Sequence, residues 1–259
     1  MLEYLIKRCH SVEFRGKARL LNLIGPRSGA RFCSLFGLNF ELDLEDYIQR
    51  HIYFGAFEPY ETRLVKTYLR PGMTFVDVGA NVGYYTALAS SLVGKPGSVI
   101  AFEPSPYAFG RLRSMVQANK LEHVRPVHSG LSDVAGQLNL YLGNGSHNHT
   151  PTMVPHENAT VTLVSVQTLD SAAEQMGIER IDLMKIDVEG YETRVLAGAT
   201  RLLKEGRVRA ILCEFNDHWL RQAGSSPEKL KSIISSAGLI EASATAQNPH
   251  ADNRFFRLP

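Results

Sequence analysis

Five acidic residues in this chain each sit at the end of a short apolar run. Asp77 follows Thr74-Phe75-Val76, Glu103 follows Ser98 to Phe102, Asp187 and Glu189 follow Ile181 to Ile186, and Glu214 follows Ile211-Leu212-Cys213. Runs of this kind read as buried strands, and the carboxyl ends of a parallel sheet share one edge. The run Asp77-Val78-Gly79-Ala80-Asn81-Val82-Gly83-Tyr84 carries the most specific chemistry. Gly79 and Gly83 allow a tight turn and a close approach to a ligand, and the amino-terminal amides of the next helix are expected to face that ligand. Doubly wound sheets bind nucleotides at such a turn. Asp77 narrows the choice, because a carboxylate there repels a pyrophosphate. It suits a cationic, hydroxyl-rich ligand without phosphate, such as S-adenosylmethionine (SAM), which carries an ammonium and a sulfonium. Asp77, Gly79, Ala80, Asn81, Gly83 and Tyr84 are therefore expected in a cofactor site.

Glu103 lies about 20 residues beyond Gly83, where an acid can accept both hydroxyls of a ribose. It could equally cap the helix that Pro104-Ser105-Pro106 starts; on the ligand reading Pro104, Ser105 and Asp187 join Glu103 in the cofactor site. Ser132-Asp133 follows the third run, Val124 to His128, where an adenine-binding loop is expected. Asp133 could take the adenine amino group, or be a plain loop aspartate. The fourth run ends in Lys185-Ile186-Asp187-Val188-Glu189-Gly190-Tyr191-Glu192, and the fifth in Cys213-Glu214-Phe215-Asn216-Asp217-His218. Several carboxylates at one edge repel each other unless a sulfonium, an ammonium, a metal ion or Lys185 balances them; salt bridges to arginines are the other solution.

Taken in order, Asp77 to Gly83, Phe102-Glu103-Pro104-Ser105-Pro106, Ser132-Asp133, Thr168-Leu169-Asp170 and Lys185 to Glu192 resemble the motif set of FkbM-type methyltransferases. The resemblance runs from about Phe57 to Glu214. It implies a SAM-dependent class I enzyme with a Rossmann-like sheet that methylates a hydroxyl, often on a sugar or natural product.

Methyl transfer from a sulfonium is an in-line displacement, and an alcohol needs help to lose its proton. Asp187 is the first candidate base, Glu214 the second, with His218 nearby as a proton acceptor suited to neutral pH. Asp187, Glu214 and Asn216 also offer hard oxygen ligands for magnesium or calcium. That set is similar to the metal site of catechol-type O-methyltransferases, although Phe215 makes the spacing imperfect. Glu58 and Glu61 could sit beside the amino end of the methionine moiety, Glu58 being the one assigned to the cofactor site. Tyr53, Phe54, Phe57 and Tyr60 either wall the site or pack in the core. His147, His149 and His156 lie in the polar stretch 143–160, which reads as a lid over the acceptor; they bind zinc, contact substrate, or do neither.

Around these residues the chain alternates strand and helix. Strands are expected near 74–78, 98–102, 124–128, 181–186 and 208–214, with helices near 82–92, 106–118, 191–204 and 226–237. That order predicts an α/β fold: a Rossmann-like, doubly wound, mostly parallel sheet. Leu138 to Leu142 and Val161 to Val166 read as a strand pair, and Leu239 to Ala244 with Phe255 to Leu258 as an antiparallel closing pair. Residues 1–56 form a small extension: a basic amphipathic helix ending by Gly25-Pro26, then a hairpin at 31–44 turning at Gly37-Leu38-Asn39. Residues 57–259 form the methyltransferase domain, opening with a helix over 58–70. The extension's helix either packs on its own domain or a dimer mate, or meets a membrane or acidic partner.

The 259 residues carry 28 Lys and Arg against 26 Asp and Glu, a net charge of +2 that gives no sign of nucleic-acid binding. No Pro-Pro occurs, which disfavours a nucleic-acid amino-group methyltransferase; Asp77 and Asn81 disfavour a nicotinamide dehydrogenase. Three widely spaced cysteines, no secretory h-region and no long apolar run fit a cytoplasmic protein with a small-molecule or glycan acceptor, away from membranes. On this reading the sequons at Asn148 and Asn158 are chance matches. A SAM-binding module without catalysis and an N-methyltransferase remain as alternatives.

Overall fold

A computed structural model describes residues 16–143, 151–157, 159–242 and 252–259. Residues 1–15, the sequons at Asn148 and Asn158, and the histidines His147 and His149 lie outside the described residues. The extension comprises helix α1 (Lys17–Ile24), the hairpin β1 (Ala30–Leu35) and β2 (Leu38–Asp43), and helix α2 (Tyr47–Tyr53). The hairpin turns at Phe36-Gly37 (φ 57° and 80°) rather than at Gly37-Leu38-Asn39, because Leu38 already pairs with Leu35. Two consecutive positive-φ residues match the twist of the flanking strands, which a longer loop over Leu38 would not. Helix α3 (Pro59–Tyr68) leads into the main sheet.

There β3 (Thr74–Val78), α4 (Tyr84–Val93), β4 (Ser98–Phe102), α5 (Pro106–Ala118) and β5 (Val124–Val127) run in alternation. A side sheet follows: β6 (Gly130–Leu131), β7 (Gly136–Leu142) and β8 (Thr160–Gln167), with β7 and β8 antiparallel. Then come α6 (Leu169–Met176), β9 (Leu183–Ile186), α7 (Glu192–Ala197), α8 (Thr200–Lys204), β10 (Ala210–Glu214), α9 (Asp217–Gln222), α10 (Pro227–Ser236), β11 (Ile240–Glu241) and β12 (Asn253–Arg257). The main sheet has the order β11-β12-β10-β9-β3-β4-β5. The five adjacent strands from β10 to the β5 edge are parallel and β12 is antiparallel to both neighbours, which is the doubly wound sheet with an antiparallel end that the alternation predicts.

The strand residues sort by parity. Phe75, Val99, Ala101, Leu183 and Leu212 face one core, while Val76, Val78, Ile100, Phe102, Met184, Ile186 and Ile211 face the other. This two-residue period is what a strand buried on both faces must have. The extension joins the first core through Leu21, Phe40, Leu42, Ile52 and Phe54. Burial of such a side chain stabilises by roughly 1.5–3 kcal/mol each, enough to hold the extension against the domain. Within α1, Leu21 is buried and Lys17 donates to the Gly55 carbonyl at 2.8 Å, so this part of the basic helix packs on its own chain.

The helix expected over 191–204 is broken in two. The Gly198 carbonyl accepts from the Asp170 amide, and the Asp170 carboxylate accepts from the amides of Arg201 and Leu202. Asp170 therefore caps α8 from another element. No helix among the described residues is long and apolar enough to cross a membrane.

Candidate active site

The order of the sheet reverses beside β3: β4 and β5 lie on one side, β9 and β10 on the other. A crevice at the carboxyl ends of strands is expected at such a switch point. The cavity found there holds about 1090 Å³ between its walls, its open mouth included. Asp77, Gly79, Ala80, Asn81 and Tyr84 line it from β3 and the turn; Glu103 and Pro104 from the end of β4; Asp187 from β9; Glu214 from β10; and Glu58 from the start of α3.

The turn is rigid. Gly79 has φ 81°, and a Cβ on it would lie 1.9 Å from the Asp187 carbonyl oxygen, so only glycine lets β3 and β9 end this close together. The Gly79 and Ala80 amides donate to the Phe102 carbonyl, Asn81 N donates to Glu103 Oε2 at 2.7 Å, and Val82 N donates to the Asn81 side chain. These four turn amides, which precede the helix, are committed inside the protein. Glu103 Oε1 accepts from Ser105 N at 2.8 Å, so both carboxylate oxygens hold backbone in place. Each oxygen keeps a second lone pair for another donor. Glu103 does not cap α5; Ser105 does, its hydroxyl accepting from Ala108 N.

One lysine organises the acids. Lys185 is the register partner of Asp77 on the adjacent parallel strand, so both side chains leave the sheet on the same face. It is 2% exposed, pairs with Asp187 Oδ2 at 2.5 Å, and lies 4.6 Å from the centre of the Tyr85 ring. Burial works to lower its pKa, but the charges of Asp187, Glu58 and Asp77 outweigh it and raise the value. Even so, the carboxylates outnumber it. Burial pushes Asp77 up to about 6, with Lys185 and the Thr86 hydroxyl, which donates at 2.6 Å, opposing. Burial likewise takes Glu58 to about 7, although Lys185 and a 2.6 Å hydrogen bond from the Tyr85 hydroxyl oppose it. Glu103 reaches about 7 by burial, against the amides of Ser105 and Asn81. Glu189 reaches about 8, by burial and then by the charge of Asp187. Glu214 is raised well above its ordinary value by burial, then by Asp187 and Glu189.

Several residues expected from sequence do not reach the cavity. Gly83 (φ 94°) turns away and packs on α5, where a Cβ would meet Leu112 and Met115 at 2.8 Å. Ser105 is buried as a cap, and the Ser132 hydroxyl donates to Asp133. Asp133 pairs with Arg194 at 2.5 Å, and neither Ser132 nor Asp133 lines the cavity, whereas Gly130 and Leu131, just before them, do. Asn216 caps α9 by accepting from Trp219 N and does not line the cavity. His218 is exposed on α9 and packs edge-on against Trp219, outside the cavity.

Other wall residues were given no catalytic, cofactor or metal-ligand role in the sequence, although Glu189 and Lys185 were already placed at this edge. Glu189 joins Asp187 and Glu214, the three offering ligand oxygens within 4.8 Å of one another. Ile48 and Ile52 bring α2 of the extension into the wall, and Lys185, Val188 and Tyr191 join from β9 and the loop after it. Pro151 and Met153 bring part of the 143–160 stretch to the mouth. Between them Thr152 pairs with Tyr141 through the backbone, and its hydroxyl donates to the Glu189 carbonyl at 2.7 Å. His156 packs beside the rings of Tyr141 and Trp219. The motif around Lys185 was itself the signal for Glu189.

Comparison with known proteins gives the same region a family. The chain is 28% identical over 165 residues to the hexuronic acid methyltransferase AglP of Haloferax volcanii, covering 63% of this chain and 62% of that protein. It is 32% identical over 185 residues to the 31-O-demethyl-FK506 methyltransferase FkbM of Streptomyces tacrolimicus, covering 58% and 67%. To the 2-O-methyltransferase NoeI of Sinorhizobium fredii it is 26% identical over 193 residues, covering 69% and 77%. The match thus spans about six-tenths of the Haloferax protein's length. Residues 77–240, more than half of the chain and the segment holding every acid of the cavity except Glu58, match the Methyltransferase FkbM domain. The chain belongs to the FkbM methyltransferase family.

Proposed function

We propose that this protein is a SAM-dependent O-methyltransferase acting on a hydroxyl of a sugar, polyketide or other natural product. The observation that supports this most is that the Asp77 turn with Glu103, and the acid ends of β9 and β10, open into one cavity. The residues present suit SAM. Glu103 keeps lone pairs for ribose hydroxyls while bracing the turn, and the excess of carboxylates over Lys185 favours a sulfonium and an ammonium. A phosphate-bearing cofactor is disfavoured, since the turn amides are already engaged and the Asp77 carboxylate lines the same cavity. The relatives' names speak of a hexuronic acid, of 31-O-demethyl-FK506 and of a 2-O position, the last two naming an oxygen as the methylated atom.

SAM, when bound, supplies the electrophilic methyl carbon. The protein's part is to orient and to manage a proton. Glu103 and the rigid turn fix the nucleoside end, and the Glu58 region faces the methionine end. The acidic edge of Asp187, Glu189 and Glu214 receives the acceptor hydroxyl and draws off its proton. Lys185 holds Asp187 in one orientation through its 2.5 Å ion pair. Correct alignment can be worth an effective molarity of ~10⁵–10⁸ M. Residues 57–259 form the catalytic domain on this reading, with α2 completing its wall.

Calorimetric titration with SAM and with NAD tests the reading. Saturable SAM binding without NAD binding is expected; NAD binding in its place overturns it. With a hydroxyl acceptor found by screening glycans and polyketides against labelled SAM, Asp187→Asn should lower turnover by roughly 10²-fold or more while SAM affinity stays within about threefold. Turnover equal to wild type would remove Asp187 from the reaction.

A further inference from the structure

We infer that Asp187, Glu189 and Glu214 form a site for one hard divalent cation, magnesium or calcium, at the acceptor side of the cavity. One oxygen from each carboxylate lies within 4.8 Å of the others. Oxygens bound to a common ion at ~2.1–2.6 Å can be no more than ~5 Å apart, so the set already has the span of a coordination sphere. A second observation points the same way. Glu214 Oε2 is shielded from solvent and has no hydrogen-bond partner among the described residues, in a side chain that lines the cavity. A buried, unpaired carboxylate oxygen is costly unless something cationic meets it.

Among the described residues the wall holds one cationic side chain. Lys185 is engaged with Asp187. SAM carries a sulfonium and an ammonium but also a carboxylate, so its net charge is too small to offset Glu58, Asp77, Glu103, Asp187, Glu189 and Glu214 together. An all-oxygen donor set selects magnesium or calcium over zinc or copper. Asn216, offered as a ligand by sequence order, caps α9 and does not line the cavity, whereas Glu189 does. Glu189 is held there by the Thr152 hydroxyl on its carbonyl and by a left-handed backbone (φ 52°).

Three protein ligands leave coordination positions open. On the methyl-transfer reading these would take two neighbouring oxygens of the acceptor, such as a vicinal diol or an α-hydroxy acid. One oxygen per carboxylate goes to the ion, so the others of Glu189 and Glu214 remain to receive the hydroxyl proton. The acceptor class rests on that functional reading; the binding of the ion does not.

The test is electron paramagnetic titration of the EDTA-stripped full chain with Mn²⁺, backed by competition with Mg²⁺ and Ca²⁺. One saturable ion per chain is expected, displaced by both competitors. Glu214→Gln and Glu189→Gln should each weaken binding by about tenfold or more. Glu58→Gln removes the same charge from the same wall but no ligand, and should change binding by less than about threefold. Each variant loses a like-charge repulsion, so thermal melting at or above wild type is expected and reports folding. Two ligand variants are used so that a misfolded one does not leave the site undecided. Absence of saturable Mn²⁺ binding overturns the site, as does a Glu58→Gln effect equal to that of Glu214→Gln. SAM binding without Mn²⁺ binding removes the ion site and leaves the function standing; Mn²⁺ binding without SAM binding does the reverse.

Discussion

Glu103 shows how one side chain can serve structure and ligand at once. Its two oxygens accept from Asn81 N and Ser105 N, tying the β3 turn to the loop after β4. Glutamine at this position would present one acceptor and one donor to two backbone donors, leaving one amide unpaired at a cost of about 1–3 kcal/mol. Glu103→Gln should therefore lower both the melting temperature and SAM affinity, read by calorimetry and ligand titration; loss of affinity with unchanged stability would show that the bracing role is wrong. At this scale the acids were readable because each follows an apolar run. Ser105, Asp133 and Asn216 were assigned to ligands because a cap, an ion-pair partner and a ligand use the same oxygen chemistry, and only packing tells them apart. The Lys185–Asp77 partnership depends on register between strands 108 positions apart, which no local pattern reveals.

At the scale of elements, the β3 turn and the end of β9 form one unit. The close approach is made at Gly79, whose missing Cβ accommodates the Asp187 carbonyl oxygen. Gly79→Ala should force these ends apart, strain a backbone at φ 81° and displace Asp187 together with Lys185. The expected result is a drop in stability of roughly 1–3 kcal/mol or more with loss of SAM binding, measured by denaturant melts and titration; a stable variant that binds SAM normally would contradict it. The five parallel strands were legible from apolar runs, since burial on both faces leaves little else for those residues to do. Helices α2, α6 and α9 were not, because each is only 6 to 8 residues and too short for periodicity to register. Their signals are caps: Asp46 accepts from Gln49 N, Thr168 from Ser171 N and Asn216 from Trp219 N. The break between α7 and α8 could not be seen locally, since Asp170 imposes it from α6.

For the molecule as a whole, the cavity concentrates negative charge that the ligand-free fold must tolerate. Asp77 faces Lys185, Asp187 and Thr86, and burial raises it to about 6 from an ordinary 3.8. Glu103 faces Asn81, Ser105, Asp77 and Asp187, and burial raises it to about 7 from 4.5. Between pH 4 and 7 the folded chain therefore holds protons at these sites that the unfolded chain has released. Stability rises with pH only where the unfolded state binds more protons, so here it falls as pH rises through these values. Shifts of two to three units correspond to on the order of 3 kcal/mol per group, present at low pH and lost above the folded pKa. Other carboxylates titrate in the same range, so the informative quantity is a difference between variants. Asp77→Asn keeps an oxygen for the Thr86 hydroxyl but cannot ionise, and its melting temperature relative to wild type should rise as pH goes from 5 to 7. SAM should act in the same direction on wild type, because its cationic groups favour the ionised carboxylates. The rise in melting temperature at saturating SAM should accordingly be larger at pH 8 than at pH 5.5. Thermal melts across this range, with and without SAM, decide the matter. A constant difference between Asp77→Asn and wild type, or a SAM-induced rise that shrinks with pH, would mean that the buried acids of the turn are not what the cofactor's charge offsets.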